Sequence, residues 1–221
     1  MGKVEKGETG MSDKIKTLLF TIVVTAVFTF LVSGINAALK ERIELNRLVA
    51  RQKVILSLFG LMPAEKIIAE SEVPALFAGE TELVKFAGQA DFTCYRRKNA
   101  TDELFVFAFS GQGFWDNIVG FLAVDAQNMQ VKGIEFTSHG ETPGLGGRIS
   151  EPEFKARFKD KPFANKRQDG LRLKLVAEGA AARPDEIDGI TGATGTSSAI
   201  EKIVNKALAQ FITQKQGGIS N

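Results

Sequence analysis

The sequence predicts an α+β protein in which one N-terminal transmembrane helix is followed by a domain of antiparallel sheet flanked by helices. Three observations predict it. The run from Thr17 to Leu39 carries no charged residue and exceeds the ~20 residues that a helix needs to cross a bilayer. From Phe86 to His139, segments rich in aromatic and β-branched residues alternate with turn residues, without the helical patterns that a βαβ fold would interleave. Near the C-terminus a stretch dense in glycine and hydroxyl groups, Asp188-Gly-Ile-Thr-Gly-Ala-Thr-Gly-Thr-Ser-Ser198, opens onto Ile200, Ile203, Val204, Ala207, Leu208 and Phe211 at helical spacing.

With 221 residues, 44% of them hydrophobic, the chain can support one globular domain with an appendage. A net charge of +2 recommends no nucleic acid partner. One Cys and one His make no Cys/His cluster, so no metal site is expected, and Cys94 has no intramolecular disulfide partner.

Residues 1–16 read as a polar tail and 17–39 as the membrane span, which is too long for the apolar core of a signal peptide. Thr17, Thr21, Thr25, Thr29 and Ser33 form a slowly winding hydroxyl stripe on that helix. Such a stripe suits packing against other membrane helices, or each hydroxyl bonds back to the carbonyl one turn earlier. Basic residues flank both ends, so charge does not orient the span. Residues 40–75 form a juxtamembrane helix and linker. Leu45, Leu48, Val49, Gln52, Ile55, Leu56 and Phe59 lie along one side, Gly60 closes the helix, and Pro63 and Pro74 bracket a short helical piece. The outer domain then runs over 76–214, with a tail at 215–221.

Strands are expected over Phe86 to Tyr95, Leu104 to Ser110, Phe121 to Asp125 and Val131 to His139, with a turn at Ala126 to Asn128. In the loop His139 to Gly147, Pro143-Gly144 suits the centre of a type II turn. Ser150 is expected to cap a polar helix, SEPEFKARFKDK. The stretch LRLKLVAEG reads as an alternating strand with Arg172 and Lys174 on a solvated face. By composition alone Trp115 reads as core. The loop ending at Ser198 has two readings: it holds a phosphate at the start of the last helix, or Thr196 or Ser197 merely caps that helix with Glu201 as its capping-box partner. Asp188, Glu141 and His139 are too far apart in sequence to argue a catalytic triad.

Three motifs occur in order: Gly111-Gln-Gly113-Phe-Trp115, Gly140-Glu-Thr-Pro-Gly-Leu-Gly-Gly147 and Asp188-Gly-Ile-Thr-Gly-Ala-Thr194. Together they resemble the FMN-binding domain family found in the C-subunit of the sodium-translocating NADH:quinone oxidoreductase and in the G-subunit of the related Rnf complex. The resemblance covers about residues 40 to 210, and the segment around Arg51-Gln52-Lys53 looks more like the quinone-reductase protein. Gly195 stands where the family often carries a larger residue, and Thr191 where many members have Ser.

The resemblance implies a covalent FMN, joined through its phosphate to Thr194, with Thr191, Gly192 and Ala193 beside it. It places Trp115, Glu141, Thr142 and Leu145 against the flavin, and makes Asp188 part of the signal read by the flavin transferase that attaches the cofactor. It further implies an electron-transfer subunit of a sodium-pumping NADH:quinone oxidoreductase in the bacterial inner membrane. Its partners would be the other membrane subunits and the lipid bilayer, with the FMN domain on the periplasmic side. The G-subunit of an Rnf-type ferredoxin:NAD oxidoreductase is one alternative, and a single-span ligand-binding or sensory protein another.

Overall fold

The computed structural model describes residues 9–62, 68–86, 92–217 and 219–220. A single helix, α1 (Thr9–Leu58), replaces the two expected on either side of residue 39. Its apolar stretch from Asp13 onward is long and apolar enough to cross a membrane. Leu18, Phe20, Phe28, Phe30 and Val32 are all more than half exposed, so the helix is apolar around its circumference, as a span facing lipid must be. Within the stripe, the hydroxyls of Thr17 and Thr21 donate to the carbonyls of Asp13 and Thr17, each at 2.9 Å. Of the short helical piece expected after Pro63, residues 64–67 lie outside the described residues, and 68–72 form an irregular stretch and a turn instead of a helix.

The chain divides at Leu48 into two compact units. In the second, helix α2 (Val73–Glu80) leads into strands β1 (Thr81–Phe86) and β2 (Cys94–Arg97), where one long strand was expected from Phe86. Strands β3 (Leu104–Gln112), β4 (Asn117–Asp125) and β5 (Gln130–Ser138) follow as a meander. With β6 (Lys161–Pro162) and β9 (Ile219–Ser220) they form an antiparallel sheet in the order β6-β5-β4-β3-β2-β1-β9.

Strand periodicity assigns each side chain a face. Phe105, Phe107 and Phe109 of β3 point into one core with Ile118, Leu122 and Val124 of β4, while Val106, Phe121 and Ala123 point to the other. On β5, Val131 and Ile134 share a face although three residues apart, because the ladder slips between Ala123 and Val124 of β4. The smaller core is closed by Ile55 and Phe59 from the end of α1.

The larger core is closed by helix α4 (Thr194–Gly217), which buries Ile200, Ile203, Val204, Ala207, Leu208 and Phe211. Phe211 stacks on Phe107 with centroids 5.1 Å apart. Full burial of a side chain of this size contributes about 1.5–3 kcal/mol. The α+β expectation and the antiparallel sheet are therefore present, with one parallel addition. Strand β7 (Lys174–Val176) pairs in parallel with β8 (Glu186–Asp188).

That pair corrects the expected long strand at 171–179. The outer edge of β7 is taken by side chains of α4. Asn205 Oδ1 accepts the amides of Arg172 (2.6 Å) and Leu173 (3.1 Å), its Nδ2 donates to the Leu173 carbonyl (2.8 Å), and Glu201 Oε2 accepts the Leu175 amide (2.7 Å). Nor do the cations point to solvent. Arg172 donates to the carbonyls of Phe163 and Ala164, and Lys174 pairs with Glu201 at 3.0 Å. Ser150 ends a 3-10 turn (Gly146–Ser150), and helix α3 (Pro152–Ala156) starts after Glu151 without a side-chain cap.

Cys94 is fully buried, and burial pushes its thiol far up, with the Tyr95 carbonyl as a distant acceptor at 3.9 Å. The folded chain should therefore resist an aromatic disulfide reagent at about pH 8, where an exposed thiol reacts, and react once denatured. Stoichiometric labelling of the folded chain would contradict this placement.

Candidate functional site

The three motifs converge on the N-terminal end of α4. The Gly-x-Gly-x-Trp segment is the tip of the β3–β4 hairpin, closed by Gly113 N donating to Asp116 O at 2.8 Å. It lifts Phe114 and Trp115 out of the sheet, 58% and 66% exposed, with their rings edge to face at 5.1 Å. Trp115 is thus no core residue, and its apolar bulk is left on the surface.

In the second loop, the Leu145 amide donates to Thr142 O (3.2 Å) across Pro143-Gly144, with Gly144 at φ 72°. This is the type II turn the dipeptide specifies. It presents Leu145, 45% exposed, while Glu141 is buried.

The third loop is held by residues that sequence reasoning did not single out. Arg157 Nη1 donates to the carbonyls of Asp188 (3.0 Å) and Gly189 (2.5 Å), and its Nη2 pairs with Glu178 Oε1 at 2.7 Å. Glu178 Oε2 in turn accepts the Thr191 amide at 3.0 Å. The partners lie tens of residues apart, so no local pattern announces them. The Asp188 carboxylate accepts the Ala181 amide at 2.9 Å and lines neither cavity described below.

Most hydroxyls of the loop are engaged. Thr191 bonds Glu178, Thr196 Oγ1 donates to Glu141 Oε2 at 2.5 Å, and Ser197 Oγ accepts the Ile190 amide at 3.1 Å. This corrects the capping-box reading, because Glu201 serves β7 and Thr196 serves Glu141. Thr194 and Ser198 are exposed, and their hydroxyls bond nothing among the described residues. The amides of Thr194, Gly195 and Thr196 also find no acceptor among the described residues, leaving the orphan donors of a helix N-terminus pointed outward.

Two cavities meet at Thr194. One, of about 210 Å³, is walled by Phe114, Trp115 and Leu145 and floored by Glu141 and the Gly192–Thr196 turn; Thr142 also lines it. The other, of about 520 Å³, is of mixed character and lined by Lys174, Glu178, Thr191 and Ser198 among others. Thr194 and Gly192 border both, whereas Thr191 borders only the larger groove. Gly195 fits its place because a Cβ there would run into the Phe114 ring. Around one free hydroxyl, the arrangement offers an apolar slot for a flat ring and unpaired amides for an anion. His139, by contrast, bonds Ser150 at 2.8 Å and makes no triad.

Residues 113–209 match the FMN-binding domain family. Over 172 residues the chain is 31% identical to the C-subunit of the Na(+)-translocating NADH-quinone reductase of Pasteurella multocida, covering 73% of this chain and 65% of that protein. It is 26% identical over 231 residues to the protein of the same name from Yersinia pestis, covering 86% of each. The solved structure of the C-subunit of the Parabacteroides distasonis reductase shares the fold, with a TM-score of 0.62 at 24% identity over 79% of this chain and 95% of that one.

Glu178 gives the loop before α4 a pH signature. The Thr191 hydroxyl, the Arg157 guanidinium and the Thr191 amide together hold its carboxyl down to about 2. A depressed folded value means that the clamp contributes fully above the unfolded value and is lost as pH falls through the folded one. Hydrogen-exchange protection of the Thr191 amide should therefore decline as pH drops from 4.5 towards 2, and Glu178→Ala should abolish it at every pH. Constant protection across that window in the wild type would contradict the clamp.

Proposed function

We propose that this chain, whose residues 113–209 match the FMN-binding domain family and which is similar to the quinone-reductase proteins named above, is the FMN-carrying electron-transfer subunit of a membrane-bound, sodium-pumping NADH:quinone oxidoreductase. The FMN is attached through its phosphate to Thr194 Oγ by a flavin transferase during maturation. When bound, FMN supplies a carrier that takes up and releases electrons; the residues of the chain supply attachment, orientation and environment.

One observation carries the reading. Thr194 is the hydroxyl of its loop that is at once exposed, free of partners among the described residues and bordering the apolar cavity. The residues present fit the cofactor. The unpaired amides of Thr194, Gly195 and Thr196 suit a phosphoester anion. Phe114, Trp115 and Leu145 offer exposed apolar area against which a ring system can lie. Thr142 stands at the mouth, and Gly192 and Ala193 let the phosphate come close to the main chain. Asp188 contributes to the transferase signal by shaping the loop, since its carboxylate is spent on Ala181.

Helix α1 anchors the chain in the bacterial inner membrane among the other subunits, with the FMN domain on the periplasmic side. The relatives named above favour the quinone-reductase assignment over the G-subunit of an Rnf-type complex. A reversible ligand-binding or sensory role is separated by experiment, because only a covalent flavin survives denaturation. Protein from its native host should give a fluorescent band in a denaturing gel and an intact mass raised by one flavin phosphate. Thr194→Val should abolish both, and Ser198→Ala should leave both. A band that persists in Thr194→Val, or an unmodified wild-type mass, would overturn the assignment.

A further inference from the structure

We infer that Glu141 and Thr196 are positioning residues that fix the aromatic wall of the cavity relative to the acceptor hydroxyl before any cofactor arrives. The inference deepens the reading above, and its first readout does not depend on it.

The Glu141 side chain is a carboxylate with 4% of its surface exposed, and both of its oxygens are committed to the protein. Oε1 accepts the amides of Phe114 at 2.8 Å and Trp115 at 3.1 Å. Oε2 accepts the Thr196 hydroxyl at 2.5 Å, two residues beyond Thr194. One carboxylate thus ties the hairpin tip to the first turn of α4, from a loop remote from both in sequence. The surrounding backbone is cleared for it. A Cβ on Gly113 would come within 2.5 Å of Oε1, and one on Gly146 would meet Oε2 at 2.9 Å and clash with the Thr196 hydroxyl.

The wall needs such a tie. Phe114 and Trp115 are largely exposed and pack on each other, so little burial holds them; beyond the carboxylate, the tip rests on the Gly113–Asp116 closure and the Phe114–Gly195 approach. Two amides on one carboxyl oxygen and a hydroxyl on the other hold the tip in one place relative to α4. A ring tethered at Thr194 then meets a wall already set, and pays no ordering cost for it. Glu141 therefore acts through the residues it holds, with three of its roughly four acceptor positions taken by the protein.

Trp115 is the sole tryptophan, so its emission reports the wall directly, in detergent-solubilised full-length chain with or without flavin. Thr196→Val keeps side-chain shape and removes the donor to Oε2. Glu141→Gln keeps an acceptor for the two amides and can donate to Thr196, so it should rescue what Glu141→Leu destroys. In the apoprotein, Thr196→Val and Glu141→Leu should lose the slow component of Trp115 anisotropy decay, with far-ultraviolet circular dichroism unchanged; Glu141→Gln should retain it. In flavinylated protein the first two should also lose the induced visible circular dichroism of the flavin while keeping its covalent mass. Wild-type anisotropy in Thr196→Val apoprotein would overturn the inference, as would a Glu141→Gln chain that behaves like Glu141→Leu. Should Thr194→Val fail to abolish flavinylation, the attachment reading falls, and the apoprotein anisotropy still decides this one.

Discussion

The position of everything at the site depends on how α4 is fastened to β7. A three-residue strand at the edge of a two-stranded pair leaves backbone groups with no neighbouring strand, and each one buried without a partner costs about 1–3 kcal/mol. Glu201 reaches across from α4 to the Leu175 amide within the strand, and Asn205 satisfies the backbone of Arg172 and Leu173 just before it. Because the bonds are directional, they fix the rotation and the height of the helix, which apolar contacts such as Phe211 on Phe107 would leave looser. A slip of one residue would turn the helix by about 100° and carry Thr194 away from both cavities.

With α4 fixed, the chemistry of its first turn follows from how the hydroxyls are used up. Thr191, Thr196 and Ser197 each serve a different segment, through Glu178, Glu141 and Ile190 respectively. These bonds hold the loop in its shape and take the three hydroxyls out of play. A motif dense in hydroxyl groups thereby becomes selective, since the bonds that build the loop exclude most of its nucleophiles. Ser198, one helical turn past Thr194, remains free among the described residues but borders only the larger groove.

The parts of this architecture that rest on local patterns were legible in the sequence. The uncharged run, the spacing of Ile200 to Phe211, the Pro143-Gly144 turn and the alternation of β3 to β5 all encode their structure within a few residues. The parts that rest on distant pairs were not. Nothing near Arg172 or Lys174 tells that Phe163 or Glu201 will claim them, and nothing near Glu178 marks it as the clamp on Thr191. Ser150 carried a valid capping signal, yet Pro152 begins α3 one step later and the serine bonds His139 instead. Trp115 was misjudged by composition because a lone tryptophan is usually needed in a core. Here ten buried phenylalanines among the described residues supply the aromatic bulk of the interior, which leaves the indole for the surface.

That surface placement is itself an argument about function. Phe114, Trp115 and Leu145 stand together in water at one cavity mouth, beside a hydroxyl and three amides that have no partner among the described residues. Exposed apolar area costs about 25 cal/mol per Å² relative to burial, and orphan amides at a helix start are unfavourable without an anion or water. Packing inward would remove the first cost, and a capping side chain the second. The chain does neither, and it spends a buried carboxylate on holding the aromatic tip outward. Such an arrangement becomes favourable when something flat and apolar at one end and anionic at the other covers both features at once, with Thr194 between them. A flavin esterified through its phosphate has that shape, whereas a ligand lacking either end would leave one of the two costs standing.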